Sequence, residues 1–475
     1  MNVRTYIELI LAILLSAASV RATDVAAPEK IDALVQPLVD SGWLYGAAVG
    51  LIDEKGTQIR GYGRVSEKDA HAPGADTVYE IGSISKVFTG MLLAQMVEDG
   101  LVKLDQPVQQ LLGDTMTVPK GEREITVLDL ATHSSGLPRM PGNFKPKDPT
   151  NPFADYTVEQ LAQFLAGHKL ARQPGAKSEY SNLGMGLLGH ALAVKSGSSY
   201  ESLLLARICK PLEMGDTRIT LDDSLQSRLA QGHDADGNPV ANWDLPTLAG
   251  AGAIRSTATD MLKFLAANLG LTKTGFDGAI ANTHRVHFRA PAEGGDEGLA
   301  WQIRRSDRVI WHNGQTGGYH AFAGFSPEKQ VGVVVLVNSA SMYSDAVGFR
   351  LLKLMMSGDA EPLKLPKAVG VVEADLEPLV GRYQLNALAS VTISREKDQL
   401  LVQLTGQPAI KFYPESKMRF FCRLVEAAVS FEAGDDGQIA RLVIHQGGQD
   451  LKAARIKNSP SKEANHNDSK NTEKK

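Results

Sequence analysis

The stretch SISKVFTGMLLAQMV, residues 83–97, carries the most information about the fold of this 475-residue chain. It is an apolar run that opens with Ser83 and, three positions later, Lys86. Val87 and Met91 recur at helical spacing, so the run predicts a helix with both polar side chains on one face. A serine hydroxyl is a weak nucleophile unless a base takes its proton. Lys86 can act as that base where its surroundings keep part of it neutral.

Two short motifs further along the chain supply side chains that fit the same chemistry. The motif YSN at residues 180–182 has the phenol of Tyr180, which can share a proton, and the amide of Asn182, which can orient a substrate. The motif HNG at residues 312–314 ends a strand pattern and runs into glycines, as expected for one wall of a cleft. In this order the three motifs predict a covalent serine hydrolase.

The chain contains three other Ser-x-x-Lys strings, which serve as internal controls. They lie at residues 326–329, 394–397 and 459–462. The first two fall at predicted turns between strands, and the third lies in a polar tail. None of them opens an apolar helix that would hold the serine and lysine in register. We therefore interpret all three as chance matches.

In their order and context, the three motifs resemble those of the penicillin-recognising serine hydrolases. The chain is most similar to the class C β-lactamase group, with its relatives the D-alanyl-D-alanine carboxypeptidases, D-aminopeptidases and small-ester hydrolases. The similarity runs from about Ile31 to about Ser357 and includes the stretches 132–138, 250–256 and 311–319. It implies an α/β (α+β) fold of the β-lactamase/transpeptidase type, in which an antiparallel sheet with terminal helices carries a helical insertion.

The resemblance also implies a role for each residue of the motifs. Ser83 attacks a carbonyl, Lys86 and Tyr180 transfer its proton, and an acyl-enzyme forms on Ser83. The oxyanion is expected between the backbone N–H groups of Ser83 and Gln315. The residues expected in the site are Ser83, Lys86 and Tyr180 for catalysis, and Asn182, His312, Asn313, Gly314 and Gln315 for substrate binding.

The third motif departs from the Lys-Thr-Gly that most class C β-lactamases carry. A lysine there supplies a fixed positive charge, whereas a histidine such as His312 ordinarily titrates near neutral pH. We therefore expect His312 to tune Lys86 and Tyr180 and to give activity a pH limb in the histidine range. Asn313 replaces the group that would bind a β-lactam carboxylate. The His-x-Gly pattern is seen among the peptidase- and esterase-like relatives.

Three functions remain open at this point. Hydrolysis of β-lactam or D-alanyl-peptide amide bonds is favoured by the Tyr-x-Asn motif and by predicted export. A carboxylesterase acting on small esters would use the same acyl-enzyme chemistry. A penicillin-binding protein that acylates without turnover is the third reading, but no transmembrane or signalling domain follows the predicted hydrolase.

Composition agrees with a globular enzyme and argues against other partners. The 50 Lys and Arg residues are balanced by 54 Asp and Glu residues, for a formal net charge of −4. No basic stripe with interleaved aromatic residues supports nucleic-acid binding. The sequence has no phosphate-binding loop, no HExxH and no Cys/His cluster, so we expect no metal and no cofactor. The expected partner is a small-molecule or peptide substrate.

The amino terminus predicts export. Residues 9–20 form a short apolar run, and residues 20–22 resemble a small-residue cleavage site, so residues 1–22 are interpreted as a signal peptide. We expect a periplasmic or secreted protein with no transmembrane domain after signal removal. Cys209 and Cys422 fall in different predicted domains; one disulfide is conceivable, but buried thiols are expected.

The remaining pattern divides the chain into further segments. The predicted hydrolase domain covers residues 23–358 and is followed by a linker at residues 359–375. Short strands separated by turns at residues 376–457 predict a small antiparallel β-barrel. Residues 458–475 are polar and are predicted to be a disordered tail.

Overall fold

The computed structural model describes residues 25–290, 295–446 and 448–456. These residues form two compact units that divide between Lys364 and Leu365, within the segment predicted as a linker. The predicted signal peptide and tail lie outside the described residues. Among the residues described, no helix has both the length and the apolar character needed to cross a membrane.

Helices dominate the middle of the first unit. The α-helices are α1 Pro28–Asp40, α2 Ser85–Glu98, α3 Val108–Leu112, α4 Val127–Ala131, α5 Val158–Gly167, α6 Asn182–Ser196, α7 Tyr200–Leu204, α8 Asp223–Ser227, α9 Ala249–Gly252, α10 Ala258–Asn268, α11 Asp277–Thr283 and α12 Tyr343–Ser357. Short 3-10 turns occupy Gly82–Ile84 and Gly113–Thr115, and a π-turn occupies Leu205–Cys209. The strands are β1 Gly46–Asp53, β2 Gly56–Gly63, β3 Tyr79–Glu80, β4 Arg255–Ser256, β5 Asp296–Glu297, β6 Gln302–Ile303, β7 Ile310–Gln315, β8 His320–Ser326 and β9 Val331–Val337.

The central sheet is built from both ends of the first unit. Its strand order is β2-β1-β9-β8-β7-β6-β5, and every neighbouring pair is antiparallel. Strand β9 is buried along its whole length, as its continuous run of valines and leucine requires. This arrangement confirms the antiparallel sheet with a helical insertion. Strand β7 extends past His312 to Gln315, because Gln315 still pairs with His320 before the glycine-rich turn begins.

Helix α2 lies inside the unit rather than on its surface. Twelve of its 14 residues are buried, including Lys86. The sequence pattern predicts one apolar face for α2. The helix is in fact apolar nearly all round, as expected of a helix that is enclosed on every side. Thr257 caps the start of helix α10, since its Oγ accepts a hydrogen bond from the Asp260 amide at 3.2 Å.

The second unit is a closed antiparallel barrel, which confirms the predicted fold of this region. A short helix, α13 Glu373–Leu376, and a 3-10 turn at Glu377–Leu379 precede it. Its strands are β10 Gly381–Gln384, β11 Ser390–Glu396, β12 Gln399–Leu404, β13 Ile410–Pro414, β14 Arg419–Cys422, β15 Ala427–Ala433, β16 Ile439–Gln446 and β17 Gln449–Arg455. The sequence pattern does not reveal β10, β13 and β17. Strand β10 is short, β13 ends in proline, and β17 is polar and mostly exposed, so none shows a clear two-residue period.

Each cysteine is buried as a thiol within its own unit. Burial raises the pKa of Cys209 to about 12 and also raises the pKa of Cys422. This agrees with the expectation of buried thiols, and neither group has the lowered pKa of a reactive cysteine.

Candidate active site

The predicted nucleophile lies at a tight junction between a turn and the central helix. Ser83 is the middle residue of the 3-10 turn that leads into α2 and remains partly exposed. Gly82 has a φ of +50°, a conformation that favours glycine. A Cβ at Gly82 would lie 2.7 Å from the backbone nitrogen of Gln315. The turn carrying Ser83 therefore packs directly against the end of β7, and the glycine permits this contact.

Lys86 is held beside Ser83, and no carboxylate in the described part of the chain pairs with it. Its Nζ lies 2.9 Å from Ser83 Oγ and donates a hydrogen bond to the carbonyl oxygen of Ala251 at 2.6 Å. The lysine is fully buried. Burial, with a smaller effect from the positive charge of Arg139, holds the pKa of Lys86 well below that of an exposed lysine. The neutral amine is favoured, as a general base requires.

Tyr180 lies next to the same two residues. It directly precedes Ser181, the N-cap of α6, whose Oγ accepts a hydrogen bond from the Gly184 amide. Lys86 Nζ lies 4.8 Å from the centre of the Tyr180 ring. Burial raises the pKa of Tyr180 to about 12, although a hydrogen bond with Ser83 opposes the shift. The phenol therefore keeps its proton near neutral pH.

His312 lies on the opposite wall and is also uncharged. It is 1% exposed, and its ring centre is 6.3 Å from that of Tyr180. Its Nδ1 donates to the carbonyl oxygen of Asn313 at 2.5 Å, so Nε2 is left as an acceptor, with no hydrogen-bond partner among the described residues. Burial, with a smaller effect from the nearby Lys86, lowers the pKa of His312 to about 3. The expectation that His312 titrates near neutral pH is therefore wrong, because the side chain is desolvated.

The rest of the third motif follows the alternation of a strand. Gly314 faces the nucleophile turn: a Cβ there would lie 1.9 Å from the Ile81 carbonyl oxygen and 2.8 Å from the Ser83 nitrogen. The segment that contains Gly314 and Gln315 therefore packs directly against the turn that contains Ser83. The side chain of Asn313 lies on the opposite face of β7 and donates a hydrogen bond to Asp345 Oδ2 at 2.6 Å.

A buried hydrogen-bond network supports this other face of β7. His320 is 1% exposed and links two oxygen atoms, with Nδ1 at 2.7 Å from Gln315 Oε1 and Nε2 at 2.8 Å from Asp345 Oδ1. Asp345 lies on α12, and it also accepts the bond from Asn313. Motif reasoning does not single out His320 or Asp345, because neither residue belongs to one of the three strings.

The second motif is tied to the irregular segment between α4 and α5. The backbone N–H of Asn182 donates a hydrogen bond to the carbonyl oxygen of Arg139 at 3.0 Å. The side-chain Nδ2 of Asn182 lies 3.7 Å from Met140 Sδ. His133 Nδ1 accepts from the Ser181 amide at 3.1 Å, and its ring lies 4.6 Å from that of Tyr180. The sequence offered a signal for His133, which lies in one of the stretches similar to class C β-lactamases, but its contact with residue 181 was not predicted.

The described residues also give no candidate metal centre. Across residues 25–290, 295–446 and 448–456, no three His, Cys, Asp or Glu side chains are grouped so that they could hold an ion. The residues that the structure brings together here are Ser83, Lys86, Tyr180 and His312.

Comparison with known families agrees with the site and the fold. A family model described as Beta-lactamase matches residues 31–353, and the chain belongs to this family. A second model, described as Domain of unknown function (DUF3471), matches residues 365–457, which include the barrel.

Individual relatives point to the same class of enzyme. A β-lactamase from Pseudomonas fluorescens is 28% identical, covering 67% of this chain and 94% of the relative. The D-alanyl-D-alanine-carboxypeptidase/endopeptidase AmpH of Escherichia coli K12 is also 28% identical, covering 76% and 99%. The crystal structure of a β-lactamase/D-alanine carboxypeptidase from Yersinia pestis, complexed with citrate, matches with a TM-score of 0.61 and 26% identity, covering 69% and 97%. This protein is a serine hydrolase.

Proposed function

We propose that this enzyme cleaves β-lactam or D-alanyl-peptide amide bonds through an acyl-enzyme on Ser83. The observation that carries the proposal is the 2.9 Å separation between Ser83 Oγ and the buried Nζ of Lys86. A lysine enclosed in this way favours its neutral form and can take the serine proton. The names of the relatives, β-lactamase and D-alanyl-D-alanine-carboxypeptidase, support this substrate class.

Acylation follows from the protonation states of the two neighbours. The Ser83 hydroxyl donates its proton to Lys86 as Oγ attacks the substrate carbonyl. The backbone N–H groups of Ser83 and Gln315 stabilise the oxyanion, each by about 2.7–4 kcal/mol of the barrier. Tyr180, which holds its proton at neutral pH, donates it to the leaving amine and is reprotonated from Lys86.

Deacylation uses the same groups in reverse. A water molecule gives a proton to neutral Lys86 as its oxygen attacks the acyl carbonyl. The bond to Ser83 Oγ then breaks, and Oγ regains a proton from Lys86 directly or through Tyr180. Asn182, on the wall beside Tyr180, is the group we assign to the amide or acyl side chain of the substrate.

A second candidate function, hydrolysis of small esters, is favoured by His312. A neutral imidazole on β7 gives no fixed charge to bind the carboxylate of a β-lactam. The side chain of Asn313 is also hydrogen-bonded to Asp345, so it is not free to bind that carboxylate. Ester substrates need neither a bound carboxylate nor strong protonation of the leaving group.

We also propose that the enzyme acts outside the cytoplasm, on the basis of the apolar run at residues 9–20.

The test is a three-substrate panel with one nucleophile variant. Initial rates are measured with a chromogenic cephalosporin, a D-alanyl-D-alanine peptide and a short-chain nitrophenyl ester. Ser83→Ala removes one oxygen atom and should abolish turnover and covalent labelling by a fluorophosphonate probe. Ser394→Ala is the matched control, because Ser394 also begins a Ser-x-x-Lys string but lies exposed on β11 of the barrel.

Each outcome decides one part of the proposal. Labelling that persists in Ser83→Ala would overturn the nucleophile assignment. Turnover of the ester alone would replace amide hydrolysis by the esterase function. Labelling by the cephalosporin with no product release would instead support a protein that acylates without turnover.

A further inference from the structure

Arg139 is an exposed cation at the candidate site, and no carboxylate of the described residues pairs with it. Its guanidinium carbon lies 5.0 Å from the centre of the Tyr180 ring. The charge of Arg139 lowers the pKa of both Lys86 and Tyr180. For Tyr180, burial has the larger effect and raises the pKa. Among the described residues, the Arg139 side chain forms no hydrogen bond or ion pair. By contrast, Arg123 pairs with Asp129 at 2.6 Å.

The backbone around Arg139 is fixed to the second motif. The Arg139 carbonyl oxygen accepts the backbone N–H groups of Asn182 and Leu183, at 3.0 and 3.2 Å. The neighbouring Pro138 carbonyl oxygen accepts the Ser181 hydroxyl at 2.7 Å. These bonds hold the Arg139 backbone on the same wall as Tyr180 and Asn182. The side chain is therefore anchored at its base while its charged end remains open to solvent.

The acidic groups nearest this wall do not cancel the charge. Glu179, one residue before Tyr180, pairs with Arg172 at 2.5 Å. Glu297 also acts on Tyr180, but burial raises the pKa of Glu297 to about 8, so most of it is uncharged at neutral pH. Asp345, on α12, already accepts hydrogen bonds from Asn313 and His320. The Tyr180–Asn182 wall is thus the cationic side of the cleft.

We propose that Arg139 is a specificity residue that binds an anionic group, such as a carboxylate, on the acyl part of the substrate. The inference rests on the proposed function, in which Asn182 contacts the acyl part, and it deepens that function by naming the substrate class. A guanidinium offers paired N–H donors that match a carboxylate. Preferred substrates are then acyl donors that carry a negative charge near the scissile carbonyl.

Two nitrophenyl esters of equal length test this assignment. One is the mono-4-nitrophenyl ester of glutaric acid, whose acyl group ends in a carboxylate, and the other is 4-nitrophenyl pentanoate, which ends in a methyl group. The readout is the ratio of their kcat/KM values. Any effect of Arg139 on the basicity of Lys86 changes both rates alike and cancels in this ratio.

Arg139→Ala should lower the ratio roughly tenfold, through a higher KM for the carboxylate ester. Arg139→Lys should retain part of the preference, because it keeps the charge but loses the paired donors. Lys195→Ala is the matched control, since it removes one exposed positive charge near the other end of α6, about 20 Å from Asn182 along the axis. Such a distance exceeds the screening length of about 8 Å at physiological salt.

Three results would overturn the inference. An unchanged ratio in Arg139→Ala, with both esters still hydrolysed in a Ser83-dependent manner, refutes the role of Arg139 alone. An equal fall in Lys195→Ala shows a general charge effect and refutes it as well. Loss of Ser83 dependence for both esters would overturn the proposed function, and the inference with it.

Discussion

Adding one methyl group at Gly314 tests whether β7 must approach the Ser83 turn as closely as the structure shows. A Cβ there would lie 1.9 Å from the Ile81 carbonyl oxygen, whereas real Cβ atoms essentially never come within 3.0 Å of another heavy atom. The two backbone segments must therefore separate by at least about 1.1 Å. Such a shift moves the Gln315 amide away from the oxyanion. Loss of one donor lowers kcat by about 10²–10³-fold, or about 2.7–4 kcal/mol.

The assay is kcat on the nitrophenyl ester, with near-ultraviolet circular dichroism to verify folding. Gly215→Ala is the matched control, because a Cβ at Gly215 meets no atom within 4 Å and its φ is not positive. Gly82→Ala probes the same contact from the other side, where a Cβ would lie 2.7 Å from the Gln315 nitrogen. If Gly314→Ala and Gly82→Ala fold and keep kcat within about threefold of the parent enzyme, the reasoning is refuted.

Three further predictions concern buried ionisable groups. Because the pKa of Lys86 is lowered in the folded state, the unfolded chain binds more protons below the ordinary lysine value of 10.5. Lys86→Met should therefore be more stable than the parent enzyme at pH 7, and denaturant titrations should show this advantage shrinking as pH rises. The pKa of His312 is about 3, so its side chain does not titrate in the ordinary histidine range. His312→Gln should therefore show the same dependence of kcat/KM on pH as the parent enzyme in that range. Loss of a pH limb in the variant would contradict a neutral His312. Arg255→Ala should cost about 3–5 kcal/mol in urea unfolding, because it leaves Glu80, which is 3% exposed, without its ion-pair partner at 3.3 Å. Adding Glu80→Gln should recover part of this loss, and no recovery would mean that the pair is not the cause.

The sequence predicts the parts of the candidate site that lie within one element. Ser83 and Lys86 are three residues apart in a turn and helix, and their spacing sets their contact directly. Tyr180 and His312 could be assigned to the end of a loop and to a strand by pattern alone. Their positions relative to Ser83 came only from the resemblance to a known family.

The remaining partners depend on packing between distant segments. The Ala251 carbonyl that accepts from Lys86 is 165 residues away in the chain, and no local spacing indicates it. The depth of His312 was also hidden, because an alternating strand pattern does not tell how much of each face is covered. That depth reverses the expected charge of the imidazole, from partly protonated to neutral near pH 7.

The order of strands in the central sheet has a consequence for synthesis of the chain. Strand β1 hydrogen-bonds to β2 on one side and to β9 on the other, and Val337 follows its partner Ala47 by about 290 residues. At ribosomal rates of about 5–20 residues per second, the β1–β2 hairpin waits roughly 15–60 s for β9. During that interval an apolar strand edge is open to pairing with other chains. The edge of β1 that will pair with β9 therefore has to be kept from other chains until β9 is available.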